Sequence, residues 1–247
     1  MANRIEAQAP PAADTSQVKA VRDPSEIADT YALYLDDESH SFDGRADEIL
    51  FPTTEGELAA LLKQAHAKNV PVTIQGSRTG LTGAAVPLGG IVINVERMNR
   101  LLYVDYEESR GVYTIAAEPG VLLEDLVRAV TTKSLDELRG RGTPDQQAVL
   151  ERFLKEPTDY TFPVDPTETS ACIGGITACN ASGARTFRYG AVRDWVFRVR
   201  VALMNGDILD IRRGEVFAEN GRFEIVLSDG SVVEVPVPTY EMPQTKN

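Results

Sequence analysis

Reactive side chains are scarce in this 247-residue sequence, which has two histidines and two cysteines. His40 falls in the polar run Asp36-Asp37-Glu38-Ser39-His40 and reads as a solvated loop residue. His66 sits near the end of a helical pattern, where a cation complements the helix dipole. Neither has a setting suited to proton transfer, so no catalytic base is assigned and the catalytic set stays empty. No His, Cys or carboxylate cluster has metal-ligand spacing, so no metal site is assigned either. Cys172 and Cys179 fit no disulfide framework, read as small buried hydrophobes, and point to a reducing compartment. There is no apolar run long enough to span a bilayer and no signal-peptide core, which makes the cytoplasm the default location. Basic charge is also short: 25 Lys and Arg stand against 37 Asp and Glu, a net charge of −12. The arginines are scattered, so no basic stripe is available for nucleic acid.

Two familiar phosphate loops are missing too. A P-loop needs a Lys-Ser/Thr pair after its last glycine, and here Gly83 is followed by Ala84-Ala85. The Gly-x-Gly dinucleotide fingerprint is absent, and Pro87 cuts off any helix that would carry it.

What is present is a glycine-rich stretch, Pro71-Val-Thr-Ile-Gln-Gly-Ser-Arg-Thr-Gly-Leu-Thr-Gly-Ala-Ala-Val-Pro87. It opens as a strand and breaks into a loop with Gly76, Gly80 and Gly83 interleaved with Ser77, Thr79 and Thr82. Glycines let successive N–H groups converge on an anion, and short hydroxyls add donors without blocking the approach. The loop suits a phosphate or pyrophosphate, although a glycine-rich turn is often only a turn. A second small-residue stretch runs from Pro163-Val-Asp-Pro166 through Ser170-Ala-Cys-Ile-Gly-Gly175 to Asn180-Ala-Ser-Gly183, followed by Arg188-Tyr189-Gly190.

Together these stretches resemble the flavin domain of the FAD-linked oxidases typified by vanillyl-alcohol oxidase and p-cresol methylhydroxylase. They are most similar to the glycolate oxidase and D-lactate dehydrogenase branch. The resemblance rests on Gln75 to Pro87, Glu118-Pro-Gly120, Asp165-Pro166, Ile173-Gly-Gly175, Asn180-Ala-Ser-Gly183 and Tyr189-Gly190, in that order and spacing. It implies an FAD-dependent 2-hydroxy-acid dehydrogenase or oxidase of the two-subdomain p-cresol methylhydroxylase type, with FAD between the subdomains. The implied pyrophosphate contacts are Gln75, Gly76, Ser77, Arg78, Thr79, Gly80, Leu81 and Thr82. Arg78 either points inward or is a solvated loop arginine. Pro119, Gly120, Asp165, Ser170, Gly174 and Gly175 would run past the flavin, with Asn180, Ala181, Ser182, Gly183 and Tyr189 near the ring or ribityl chain. Tyr189 reads equally as a packing aromatic. Some relatives tether flavin to a loop histidine; the 75–83 loop has none, so the implied FAD is non-covalent.

Along the chain, residues 1–22 read as a disordered, proline-bearing tail. Ala46 to Phe51 is expected as an edge strand. Thr54 and Glu57 form a capping-box pattern before a helix whose face carries Leu58, Leu61, Leu62 and Ala65 and which ends at Asn69-Val-Pro71. Strands follow at 71–75, 91–95, 101–105 and 112–117, then a helix with Leu122, Leu126 and Val130. Residues 23–130 thus make a first FAD-binding subdomain. Residues 131–160 are highly charged and helical; docking element and membrane-surface lid are alternatives, and the charge pattern favours an exposed insertion. Residues 161–247 form the second subdomain, an antiparallel meander with Asn205-Gly206, Asn220-Gly221 and Asp229-Gly230 turns. The whole reads as α+β.

Relatives of this family continue past the position of Asn247 with more of the FAD domain and a substrate domain. The expectation is therefore a C-terminally incomplete FAD-binding portion, inactive alone, whose parent oxidises a 2-hydroxy acid such as D-lactate or glycolate. Its electrons would pass to a quinone or protein acceptor, and the full-length form would be cytoplasmic or peripheral at the inner membrane. The alternatives are a stand-alone flavin- or nucleotide-binding subunit that needs a partner chain, and a non-flavin structural domain.

Overall fold

The structure, a computed structural model, describes residues 3–164 and 168–238. Strand β1 (Arg4–Glu6) and strand β2 (Lys19–Val21) open the chain, followed by helix α1 (Pro24–Asp29) and strand β3 (Glu48–Phe51). Helix α2 (Glu55–Ala67) then crosses to strand β4 (Val72–Gln75), with strand β5 (Ile91–Asn94) next. A four-stranded sheet results, in the order β2-β3-β5-β4. Strands β3, β5 and β4 are parallel, and β2 is antiparallel to β3. Strands β3 (Glu-Ile-Leu-Phe) and β5 (Ile-Val-Ile-Asn) read as short apolar runs, as strands buried on both faces require, whereas β4, at the edge of the sheet, carries Thr73 and an exposed Ile74.

Two expectations change here. Residues 3–22 are not a disordered tail: β1 pairs with a strand near the other end of the chain, and β2 pairs with β3. Because β2 covers it, β3 is internal rather than an edge strand. Each of these short strands carries one apolar anchor that is almost fully buried, Ile5 in β1 and Val21 in β2. So little local hydrophobicity is masked by the polar residues around it, and the pairing partners lie far away in sequence. Helix α2 starts where the capping signal placed it, with Thr54 Oγ1 accepting from Glu57 N at 3.2 Å. The Glu57 carboxylate reaches one residue further back than a capping box demands, taking the N–H and hydroxyl of Thr53 at 2.7 and 3.0 Å.

Strands β6 (Leu101–Glu107) and β7 (Val112–Ala117) form an antiparallel hairpin, and helix α3 (Leu123–Thr132) follows. Helix α4 (Pro144–Lys155) starts at a complete capping box between Thr143 and Gln146. Residues 131–160 are not an exposed insertion. Leu135, Leu138, Leu150 and Phe153 are almost wholly buried in one cluster with Leu101, Val104, Val121, Leu126 and Val130. The charges lie on the opposite face of α4, where Glu151 pairs with Arg139 and Lys155. An amphipathic segment spends its charges on water and so looks wholly polar in composition. Its outer edge is tied to the hairpin by polar contacts: Tyr113 donates to Glu156 at 2.7 Å, and Arg152 Nε donates to the Tyr113 hydroxyl at 2.8 Å.

Helices α5 (Ile173–Ala178) and α6 (Thr186–Tyr189) lead to the hairpin of β8 (Arg198–Ala202) and β9 (Ile208–Arg212), which turns at Asn205-Gly206. Strands β10 (Arg222–Val226) and β11 (Val232–Pro236) form another hairpin through Asp229-Gly230. The three turns are present, but the expected continuous meander is not. The free edge of β10 is taken by β1, in parallel, so β9 and β10 belong to different sheets. Buried Asp207 links them by accepting from the N–H and hydroxyl of Ser228 at 2.8 and 2.6 Å.

Since Phe153 is central to the β6–β7–α3–α4 core, Phe153→Ala is expected to lower unfolding free energy by about 3–5 kcal/mol in urea titrations. A loss under about 1 kcal/mol would restore the exposed-insertion reading.

Candidate functional site

Parallel strands β4 and β5 carry their C-terminal residues, the register partners Gln75 and Asn94, to the same edge of the sheet. Both amides are almost fully buried and both hold the glycine loop that follows β4. Gln75 Nε2 donates to Tyr34 O at 2.8 Å and to Ala85 O at 2.6 Å, which closes the base of the loop. Asn94 Nδ2 donates to Gly76 O at 3.1 Å, while its Oδ1 accepts from Glu96 N at 2.8 Å. The Gln75 Nε2 donors are therefore both spent on main-chain carbonyls, while its buried Oε1 has no partner among the described residues.

Above this base the loop is anchored by carbonyls: Glu38 N donates to Arg78 O at 3.2 Å, and Val86 N to Gly83 O at 3.1 Å. Its donors are unspent. Among the described residues, no main-chain N–H from Ser77 to Ala85 donates a hydrogen bond to the protein. A run of unpaired N–H groups in a loop that includes left-handed residues, Arg78 at φ +61° and Gly83 at φ +73°, is the concave donor array that binds anions. Gly80 lies outside the left-handed region, and a Cβ there would meet only Asp37 Oδ2, at 4.0 Å.

The second glycine stretch interlocks with the first. A Cβ on Gly76 would stand 2.0 Å from Cys172 Sγ. On Gly174 it would stand 2.6 Å from Pro119 Cβ, and on Gly120 2.2 Å from Val95 O. Main-chain bonds stitch the same segments together: Gly174 N to Pro119 O and Ile173 N to Val121 O, both at 2.8 Å. Glu118, nearly buried, takes the Arg100 N–H at 2.9 Å and its guanidinium Nη2 at 2.6 Å, which braces the Glu118-Pro-Gly turn and raises the Arg100 pKa.

These segments border a cleft of about 670 Å³ lined by Gly76, Ser77, Glu96, Gly120 and Cys172 on one side and the polar face of α3, including Asp125 and Arg128, on the other. The volume falls within the usual range for small-molecule sites. The structure thus brings Gly76, Ser77, Pro119, Gly120 and Gly174 together, with Gly175 just beyond. Thr79, Gly80, Leu81 and Thr82 are not among the residues that line it. Arg78 is half-buried; its guanidinium stacks 4.3 Å from the Tyr34 ring centroid and donates to Gly76 O at 3.2 Å. The Ser170 hydroxyl is engaged by Glu168 at 2.8 Å.

Asn180, Ala181, Ser182, Gly183 and Tyr189 lie outside the main cleft. Asn180 Oδ1 accepts from Arg193 N, Gly183 N donates to Thr186 Oγ1, and Ala181 packs in a hydrophobic cluster. Tyr189 borders a second concavity of about 390 Å³ beside Arg185, Phe187 and Arg188. Asp165 and Pro166 lie outside the described residues. The paired reading of the cysteines also changes: Cys172 is buried, whereas Cys179 is exposed.

Sequence reasoning did not single out Asn94, Glu96, Asn99, Tyr34 or the α3 face. A signal existed for two of them. Asn94 and Glu96 close the strand parallel to β4, and ligands in such sheets lie off the carboxyl ends of the strands.

The Gly76–Cys172 contact gives a direct check. Gly76→Ala is expected to destabilise the fold by about 1–3 kcal/mol through overpacking. Adding Cys172→Ala should recover most of that loss, because only the sulfur is too close; the Cys172 Cβ would stand at an ordinary 3.5 Å. Additive losses in thermal or urea unfolding of the double variant would show that the two loops do not meet in this way.

Comparison with known proteins agrees with this geometry. Residues 46–136 and 145–212, more than half of the chain, match the family model described as an FAD binding domain. D-lactate dehydrogenase of Anaerostipes hadrus is 32% identical over 168 residues, covering 68% of this chain and 29% of that protein. Glycolate oxidase subunit GlcD of Bacillus subtilis (strain 168) is 29% identical over 243 residues, covering 93% of this chain and 45% of the subunit. The chain therefore spans less than half the length of these two relatives. Among solved structures, 6-hydroxy-D-nicotine oxidase from Arthrobacter nicotinovorans superposes with a TM-score of 0.57 at 17% identity, over 83% of this chain and 38% of the oxidase, and shares the fold. With its unpaired N–H row, its interlocked glycine segments and this match, the chain belongs to the FAD-binding domain family of FAD-linked oxidoreductases.

Proposed function

We propose that this chain is the FAD-binding portion of a flavin-dependent dehydrogenase or oxidase that acts on a 2-hydroxy acid such as D-lactate or glycolate. The observation that carries the reading is the loop from Ser77 to Ala85, which is held through the carbonyls of Arg78, Gly83 and Ala85 while its main-chain N–H groups are unspent. Free donors in a loop with left-handed turns suit the diphosphate of an extended dinucleotide. The substrate class is drawn from the names of the relatives, a D-lactate dehydrogenase and a glycolate oxidase subunit.

In this reading Ser77, Arg78, Thr79, Gly80, Leu81 and Thr82 offer main-chain N–H groups to the diphosphate. The Arg78 guanidinium, held on Tyr34, supplies a nearby positive charge. Gly76, Gly120 and Gly174 keep three backbone segments close enough to wall the cleft. When bound, FAD supplies the acceptor for the two electrons removed from the hydroxyl-bearing carbon. The substrate-binding groups, the catalytic base and the delivery of electrons to a quinone or protein acceptor are assigned to parts of the whole protein outside this chain. Residues 23–130 and 161–247 act as the two FAD-binding subdomains, with residues 131–160 built into the core of the first. Among the described residues no helix is long and apolar enough to cross a membrane. The proposed setting is the cytoplasm, with peripheral contact at the inner membrane.

The proposal includes a dissociable cofactor. The purified chain mixed with FAD and passed through gel filtration should retain flavin absorbance, and acid precipitation should release all the yellow colour to the supernatant. Absence of retained flavin would refute FAD binding, and colour left in the pellet would refute non-covalent attachment.

Gly80 offers a sharper test, because the protein leaves room there. Gly80→Val should leave far-UV circular dichroism unchanged while reducing FAD affinity at least about tenfold, roughly 1.4 kcal/mol, since the β-branched side chain would fill the path of the phosphates. Unchanged affinity would move the diphosphate away from this loop.

A further inference from the structure

We infer that Glu96 is the polyol-recognition residue of the cleft: its carboxylate accepts hydrogen bonds from the vicinal hydroxyls that flank the diphosphate of the bound dinucleotide. The inference rests on the FAD reading above and deepens it.

Placement comes first. Gly76 follows β4 directly, and Glu96 lies two residues beyond the end of β5, its parallel neighbour. Both line the same cleft, together with Ser77. A diphosphate on the loop after one strand puts the adjoining sugar over the end of the next strand. An acidic side chain at that point meets hydroxyl donors, the arrangement that selects ribose in other parallel-sheet nucleotide sites.

Capacity comes second. A carboxylate offers about four acceptor positions. Among the described residues, the only side-chain donor to Glu96 is the Tyr34 hydroxyl, which lies 3.0 Å from Oε1 and 2.9 Å from Oε2. One proton cannot satisfy both oxygens, and Glu96 is an exposed residue of the cleft lining. The Glu96 main chain is fixed as well, through its N–H to Asn94 Oδ1.

The third point is how the group is held. The Tyr34 ring packs edge-on against Phe51 at 5.3 Å and carries the Arg78 guanidinium on its face at 4.3 Å. Burial and the neighbouring Glu96 push the Tyr34 phenol up to about 12, so it stays a donor across the neutral range. Arg78, Tyr34 and Glu96 thus form one assembly, of which Glu96 lines the cleft. Its cation belongs to the phosphate loop itself, with the guanidinium on Gly76 O, and its carboxylate is the end that meets the sugar in this reading. A carboxylate beside a diphosphate also brings like-charge repulsion, which opposes the hydroxyl contacts and which Arg78 offsets.

The hydroxyls could belong to the ribose of the adenosine half or to the ribityl chain of the flavin half. The experiment is calorimetric titration of the full chain, freed of flavin, with FAD, ADP and FMN, for the wild type and for Glu96→Ala, Glu96→Gln and Tyr34→Phe. Glu96→Ala should weaken FAD about tenfold or more. Glu96→Gln, which keeps one acceptor oxygen, should lose less, and Tyr34→Phe should also lose affinity because the carboxylate is no longer held. A matching loss with ADP places Glu96 at the ribose, and a matching loss with FMN places it at the ribityl chain. FAD binding by Glu96→Ala as tight as, or tighter than, the wild type would overturn the inference and leave the FAD reading standing. A wild-type chain that takes up no FAD would instead overturn the FAD reading itself.

Discussion

The thiol of Cys172 occupies the place that any side chain at residue 76 would need, and the rest of the site depends on that contact. Gly76 is the first residue after β4, and Cys172 caps the start of α5, nearly a hundred residues later. Bringing them together closes the floor of the cleft. Gly174 against Pro119 and Gly120 against Val95 repeat the same device on either side. At each point a missing Cβ lets two backbones come closer than side chains allow, so three separate segments make one wall. The small residues of both glycine stretches are thus spent on contact with each other as much as on space for a ligand.

The phosphate loop is kept open by buried amides. Gln75 and Asn94 sit below it and bond to its carbonyls, leaving the N–H groups on the outer side unspent. Neutral amides suit this position: each offers two N–H donors and brings no charge that would repel an anion. A loop held by its carbonyls presents its donors without first breaking internal bonds, and preorganisation of that kind reduces the ordering cost of binding. Arg78 contributes in the same way, since the Tyr34 ring holds its guanidinium before any ligand arrives.

Much of this was legible in the residues. The order of strands and helices from Glu48 to Ala117 followed from hydrophobic runs, the Thr54 cap and Pro71. The glycine and hydroxyl pattern of 76–83 announced a loop suited to anions. Less legible were the parts whose meaning depends on a distant partner. Residues 131–160 looked exposed because Arg139, Glu151, Arg152 and Lys155 dominate their composition, yet Leu138, Leu150 and Phe153 carry a core. The first residues looked loose because Ile5 and Val21 are single apolar anchors in polar surroundings, and their strand partners are far along the chain.

Local chemistry, then, set the elements, the two glycine loops and the type of ligand they suit, since turn preference, capping and periodicity act over a few residues. Only the tertiary structure decided which of those residues meet. It turned Gln75 inward as a brace, set Asn180 to Tyr189 apart from the main cleft, and brought Glu96 into the cleft lining with Tyr34 bonded to it. Those outcomes depend on strand order and on contacts between segments tens to hundreds of residues apart, and a pattern read along the chain does not contain them.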